Sequence, residues 1–266
     1  MQLGSYCHST KEFGLTTLVV KPSRLKTALS VPLVALWIMV MVLLYQINRV
    51  LHFSKEQTVI RQFHTGVKKL FNLQVNTIGE LWTDTPTIYV SNHVSYMDVF
   101  VLGAALPCSF IAKSEVAGWP VFGQLANFQG TLFFERNARR ARDQVNIVKS
   151  RLTDGGNLIF FPEGTSTPGT HIDTFRSSLL AASELEGRRI QPVIIDYSHY
   201  EGELMDQATR DFYAWYIPMP FLSHFLTGLG LGKSGVQLIL HPPVHLTDYE
   251  SPKACAKHCE QVVCEG

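Results

Sequence analysis

The sequence predicts an α/β fold: a mixed, mostly parallel sheet flanked by helices, with one N-terminal membrane helix. Three observations predict it. Short apolar runs rich in β-branched and aromatic residues recur at Thr87–Val90, Thr131–Phe134, Leu158–Phe161 and Ile190–Ile195, with helix-period segments between them. Each run gives way to polar or charged residues, as the strands of an open α/β sheet do when a site lies along one strand edge. Finally, Ala28–Ile47 carries no charge. At ~1.5 Å per residue it is long enough to cross ~30 Å of hydrocarbon.

The elements follow in order. Residues 1–27 form a polar tail and 28–47 the anchor. Lys21, Arg24 and Lys26 precede the anchor and Arg49, Lys55 and Arg61 follow it, so charge bias does not orient it. A cleaved signal peptide competes, but the apolar run is longer than a usual signal core and no small-residue cleavage site follows promptly. Pro32 falls near the expected start, where a helix tolerates it. A spanning helix and one lying in a single leaflet both fit. Residues 48–72 hold an amphipathic helix: Val59, Ile60, Phe63, Val67, Leu70 and Phe71 recur at helical spacing among Lys55, Arg61, Lys68 and Lys69. It suits packing on the domain or resting on anionic headgroups. Residues 73–266 make the catalytic domain. Helices are expected over Asp98–Leu106, Arg139–Leu152, Thr174–Leu185, Pro220–Leu229 and Ser251–Val263, with a late strand at Val236–His241.

A chain of 266 residues, 46% hydrophobic, supports one sizeable α/β domain plus a membrane element. A net charge of +1 gives no reason to expect nucleic acid as a partner. Cys255, Cys259 and Cys264 cluster around His258, but their spacing fits no common zinc finger, so free thiols in a reduced compartment are expected and no metal. Gly228–Ser234 fails as a phosphate loop because Thr227 stands where its first glycine is needed. There is no G-x-S-x-G elbow, and Pro242-Pro243 forbids a regular helix between His241 and His245.

The chemistry centres on Ser91-Asn92-His93-Val94-Ser95-Tyr96-Met97-Asp98. Here the chain leaves a strand and enters a helix. An aspartate in the first helical turn can reach back to a histidine at the strand end. It then holds one ring nitrogen and leaves the other free to take a proton. His93 and Asp98 are the catalytic candidates. Phe161-Pro162-Glu163-Gly164-Thr165 follows one strand and Glu135-Arg136 another, bringing turn residues and a bidentate cation to the same edge.

Asn92-His93 through Asp98, Glu135-Arg136, Phe161-Pro162-Glu163-Gly164-Thr165 and Gln191-Pro192-Val193 resemble, in order and approximate spacing, the four blocks of the PlsC-type glycerolipid acyltransferases. Lys113-Ser114-Glu115 and Pro120-Val121-Phe122-Gly123 resemble the segment between the first two blocks. The resemblance spans about residues 55–245. Later stretches, Phe212–Tyr216, Gly228–Gly232 and His241–Val244, resemble a bacterial subgroup with members that acylate lyso-ornithine lipids.

The resemblance implies a glycerol-3-phosphate acyltransferase-like fold. It also implies a membrane enzyme moving a fatty acyl group from acyl-CoA or an acyl carrier protein to the free hydroxyl of a lysolipid. The leading acceptor is 1-acyl-glycerol-3-phosphate, giving phosphatidic acid. The alternatives are a lyso-ornithine lipid, or a non-catalytic lipid-binding relative of the family. It implies no cofactor beyond that co-substrate, a bilayer as partner, and a bacterial inner membrane with the catalytic domain on the cytoplasmic side. His93 would be the general base and Asp98 its support. Arg136, Glu163, Gly164, Thr165 and Lys113 would bind the acceptor. The family often has a basic residue soon after Glu-Gly-Thr. Here Ser166-Thr167-Pro168-Gly169 intervenes, and the next basic positions are His171 and Arg176. Gly118-Trp119-Pro120 and Phe212–Tyr216 are candidates for lining an acyl tunnel.

Overall fold

A computed structural model describes residues 20–52, 54–135, 137–184, 187–216 and 218–265. Two helices come first. α1 (Arg24–Leu51) starts at Ser23, whose hydroxyl accepts from the Lys26 N–H, and runs through the apolar stretch. Its true start puts Pro32 in the helix interior rather than near the entry. α2 (Glu56–Leu70) buries Val59, His64 and Val67. The two helices meet at Gly66, where an added Cβ would lie 2.1 Å from the Trp37 ring. The Trp37 indole N–H also donates to the Phe63 carbonyl at 3.1 Å. Both helices dock on the domain. Thr27 bonds the Leu226 carbonyl at 3.2 Å, and Arg61 Nε donates to the Ala104 carbonyl at 2.9 Å. The other side of α1 leaves Leu29, Leu33, Leu36, Met39 and Leu43 exposed.

The sheet follows: β1 (Leu73–Ile78), β2 (Thr87–Ser91), α3 (Met97–Ala105), β3 (Ser109–Lys113), α4 (Phe122–Phe128), β4 (Leu132–Phe134), α5 (Ala141–Thr153) and β5 (Leu158–Phe160). Then come β6 (Arg189–Tyr200), β7 (Glu203–Leu204), α6 (Gln207–Arg210), α7 (Phe221–Gly230), β8 (Ser234–Leu240) and α8 (Pro252–Glu265). The order across the sheet is β1-β8-β6-β2-β5-β3-β4, with β7 hairpinned onto β6. β6, β2, β5, β3 and β4 run parallel, and β8 is antiparallel to β6. This is the mixed, mostly parallel sheet expected. β2 lies near the centre and is buried at all five positions, as a strand covered on both faces must be. One apolar layer joins α1, α2, α3 and α7 to the sheet, and a second sits under α5 and α8.

Three strands, β1, β3 and the two-residue β7, were not expected from sequence. One expected helix shrinks: over Thr174–Leu185 only a 3-10 turn at Leu180–Glu184 forms, and Leu185 lies outside the described residues. The Phe175 N–H is bound by Glu260 at 2.7 Å and the Arg176 N–H by the Pro162 carbonyl at 3.1 Å. Those donors serve tertiary partners and are lost to a helical ladder.

Candidate active site

Because β2, β3, β4 and β5 are parallel, their C-terminal ends open onto one edge of the sheet. At the end of β2, Asn92 locks the chain in place. Its amide donates to the Ile195 carbonyl and accepts from the Ile195 N–H, both at 2.9 Å. His93 comes next, and α3 begins four residues later. Asp98, in the first turn of α3, is fully buried and accepts from His93 Nδ1 at 2.8 Å through Oδ2. The same oxygen accepts the Val94 and Ser95 N–H groups at 2.8 and 2.9 Å. Oδ1 accepts the Tyr197 hydroxyl at 2.8 Å. Four donors hold this carboxylate, and three of them belong to the five-residue loop itself.

A carboxylate in such a donor ring only accepts, so Nδ1 carries the proton and Nε2 is the basic nitrogen. The His93 side chain keeps 19% exposure. Its ring lies flat against Phe161, centroids 3.9 Å apart and planes within 13°. Tyr197 reaches Asp98 from β6, where the pairing with β8 shifts register between Tyr197 and His199. Such a bulge re-aims side chains on the bulged strand. Burial, followed by the neighbouring Asp98, pushes the Tyr197 phenol well above its ordinary range, so it stays a donor.

The loop after β5 clasps His93 by its backbone. Glu163 Oε1 accepts the His93 N–H at 2.7 Å, and the Thr167 N–H donates to the His93 carbonyl at 2.9 Å. The other Glu163 oxygen accepts the Asp173 N–H at 2.8 Å. At 2% exposure, Glu163 is walled in by the His93 and Asp173 backbone donors. Burial raises its carboxyl to about 8, against the pull of those two hydrogen bonds. Gly164 closes the turn, its N–H on the Phe161 carbonyl at 3.0 Å, with φ at 74°, where a side chain would be strained. Gly164 and Thr165 are half-buried beside it, and Lys113 is half-buried at the end of β3. Arg136 lies outside the described residues.

Sequence reasoning gave no individual role to Asn92, Phe161 or Tyr197, and placed Trp215 only in the stretch offered as an acyl-tunnel lining. The Trp215 backbone N–H donates to the Val94 carbonyl at 2.9 Å and its carbonyl accepts the Ser166 hydroxyl at 2.5 Å, so its backbone bridges both active-site loops. Asn92 and Phe161 were signalled only as members of the motif blocks. Nothing local marked Tyr197.

A buried aspartate steadying a half-exposed imidazole can lift a proton from an alcohol and return it to a leaving group. The acyltransferase family model matches residues 53–196, more than half of the chain. The chain belongs to the acyltransferase family. It is 38% identical over 182 residues to the lyso-ornithine lipid O-acyltransferase of Rhodobacter capsulatus, covering 66% of this chain and 64% of that relative. It is 35% identical over 117 residues to the 1-acyl-sn-glycerol-3-phosphate acyltransferase of Neisseria gonorrhoeae, covering 44% of this chain and 46% of that one. The chain thus spans less than two thirds of either relative's length. In fold it matches the crystal structure of the 1-acyl-sn-glycerophosphate acyltransferase PlsC from Thermotoga maritima. The TM-score is 0.58 at 20% identity, covering 90% of this chain and 95% of that one.

Proposed function

We propose that this acyltransferase moves a fatty acyl group from a thioester donor, acyl-CoA or an acyl carrier protein, to the free hydroxyl of a lysolipid. The observation that carries the reading is the His93–Asp98 pair, 2.8 Å apart at the edge of the sheet. His93 Nε2 takes the hydroxyl proton as the oxygen attacks the thioester carbonyl. The tetrahedral intermediate collapses by breaking the C–S bond, and the thiolate recovers the proton from the imidazolium. Asp98 fixes the tautomer and stabilises the imidazolium. Glu163 acts as a positioning residue through the His93 backbone. Gly164, Thr165, Lys113 and Arg136 are assigned to binding the acceptor.

The acceptor we favour is a lyso-ornithine lipid, the substrate named for the R. capsulatus relative. The absence of a basic residue directly after Glu163-Gly164-Thr165 supports it, since a phosphate acceptor would use a cation there. Lysophosphatidic acid is the second reading, favoured by the name of the Neisseria relative. We place the chain at a bacterial inner membrane, α1 serving as anchor and the domain facing the cytoplasm, where activated acyl donors are made. By length and composition α1 is able to cross a bilayer.

The experiment is a panel of both acceptors with one labelled acyl donor, run beside His93→Ala. Product mass identifies the acceptor. The variant is expected to lose about 10²–10⁴-fold in turnover. Near-normal turnover by His93→Ala would remove the proposed base.

A further inference from the structure

The end of β4 carries a charge that the proposed chemistry at His93 does not use. Beyond Arg136, which the acceptor reading uses, residues 137–143 hold three arginines against one carboxylate, in a chain whose net charge is only +1. Arg139, Arg140 and Arg142 are all exposed, where a 3-10 turn at Ala138–Arg140 leads into α5. That is the wrong end for cations. The first turn of a helix presents unpaired N–H groups and the positive pole of its dipole, and arginines there are mildly unfavourable. Only Asp143 offsets them within that turn. The pair between Arg140 and Glu135, at 3.3 Å, is itself open to solvent, the arginine side chain 60% exposed. An exposed pair of this kind contributes little to folding. Further along α5, Ile147 is 45% exposed. The arginines and the isoleucine therefore stand on the outside of the fold.

Their place on the sheet suggests a use. β4 is an edge strand, and its C-terminal end opens on the same side as that of β2. Three strand spacings separate β4 from β2, about 14 Å at ~4.8 Å each. An acyl thioester reaches an enzyme on a long, flexible pantetheine arm whose far end is anionic. A body held at the end of β4 could extend that arm along the strand ends to His93.

We propose that Arg139, Arg140 and Arg142, with Ile147, form the docking surface for an acidic acyl carrier protein that delivers the acyl thioester. The inference rests on the acyl-transfer reading above and names its donor. A basic rim at the start of a helix, with an exposed apolar residue further along it, fits a protein surface of opposite charge. A nucleotide of free coenzyme A would call for a concave cleft.

The test uses the full chain in detergent micelles. Labelled holo acyl carrier protein is titrated against wild type, Arg139→Glu/Arg142→Glu and Arg139→Lys/Arg142→Lys at low and high salt. Transfer kinetics are then measured with acyl carrier protein and with acyl-CoA as donors. The expected result is salt-sensitive binding, lost by the Glu variant and kept by the Lys variant. KM for the carrier-borne donor should rise about tenfold or more in the Glu variant. Kinetics with acyl-CoA should stay within about twofold, which also reports that the variant folds. No binding by wild type overturns the proposal, as does unchanged binding by the Glu variant or an equal loss with both donors. If neither donor supports transfer while arginine-dependent binding persists, the docking surface stands and the acyl-transfer reading falls.

Discussion

Asp98 accepts four hydrogen bonds, and only one of them comes from His93. The two loop N–H groups fix the carboxylate relative to the backbone that carries the histidine, so the pair is rigid before any substrate arrives. The Tyr197 hydroxyl differs, because it tunes the charge as well as the position. Its hydrogen bond stabilises the carboxylate and so weakens the hold of Asp98 on an imidazolium. Tyr197→Phe removes that bond and makes Asp98 the stronger partner. Turnover should fall within about tenfold, since Oδ1 is left buried without its donor. A kcat identical to wild type would leave Tyr197 a packing residue only.

Among the elements, the loop after β5 and the loop after β2 act as one piece. Glu163 spans them with an oxygen on His93 and an oxygen on Asp173. Glu163→Gln replaces one acceptor with an NH2 group facing a backbone N–H. We expect a loss of about 1–3 kcal/mol in stability, with kcat reduced more than KM is raised. Calorimetry beside steady-state kinetics checks it, and an unchanged kcat would show that the clasp does not orient His93. The helical pair has its own tight point. Gly66→Ala puts a methyl into the Trp37 ring and should destabilise by about 1–3 kcal/mol. Adding Trp37→Ala should recover part of that loss, because the two sites share the contact. Strictly additive effects would mean that the helices separate elsewhere.

For the whole molecule, two buried titrating groups pull stability in opposite directions with pH. Burial lowers His64 from 6.5 to about 4, against its bond to Gln129. Between those values the unfolded chain binds the extra proton, so stability rises as pH rises from 4 to 6.5. Burial raises Glu163 from 4.5 to about 8. There the folded chain holds the extra proton, so stability falls as pH rises from 4.5 to 8. The two slopes oppose each other up to 6.5, and only the fall from Glu163 remains above it. A thermal midpoint that declines between pH 6.5 and 8 in wild type, and stays flat there in Glu163→Gln, is the expected pair of results. A decline of equal size in both proteins would assign it to other groups.

The strands at β2, β4, β5 and β6 were legible because each is a short apolar run that meets polar residues at its end. β1 was harder to see. It follows the amphipathic helix directly, and its Leu-Gln-Val-Asn-Thr-Ile mixes polar and apolar residues on a mostly exposed strand. β3 was missed because Ser-Phe-Ile-Ala-Lys is too short and too mixed to announce itself. The helix expected over Thr174–Leu185 had suitable periodicity, but Glu260 and Pro162 took the backbone donors it needed.

The sequence by itself determined what depends on near neighbours: the strand runs, the apolar first helix, and a histidine five residues before an aspartate on a strand-to-helix turn. Those follow from side-chain period and local reach. Only the tertiary structure decided that Glu163 grips the His93 backbone across 70 residues and that Tyr197 caps Asp98 across 99. Such bonds exist only once parallel strands and a bulge in β6 have brought distant segments side by side. No local pattern encodes which buried donor will meet which acceptor.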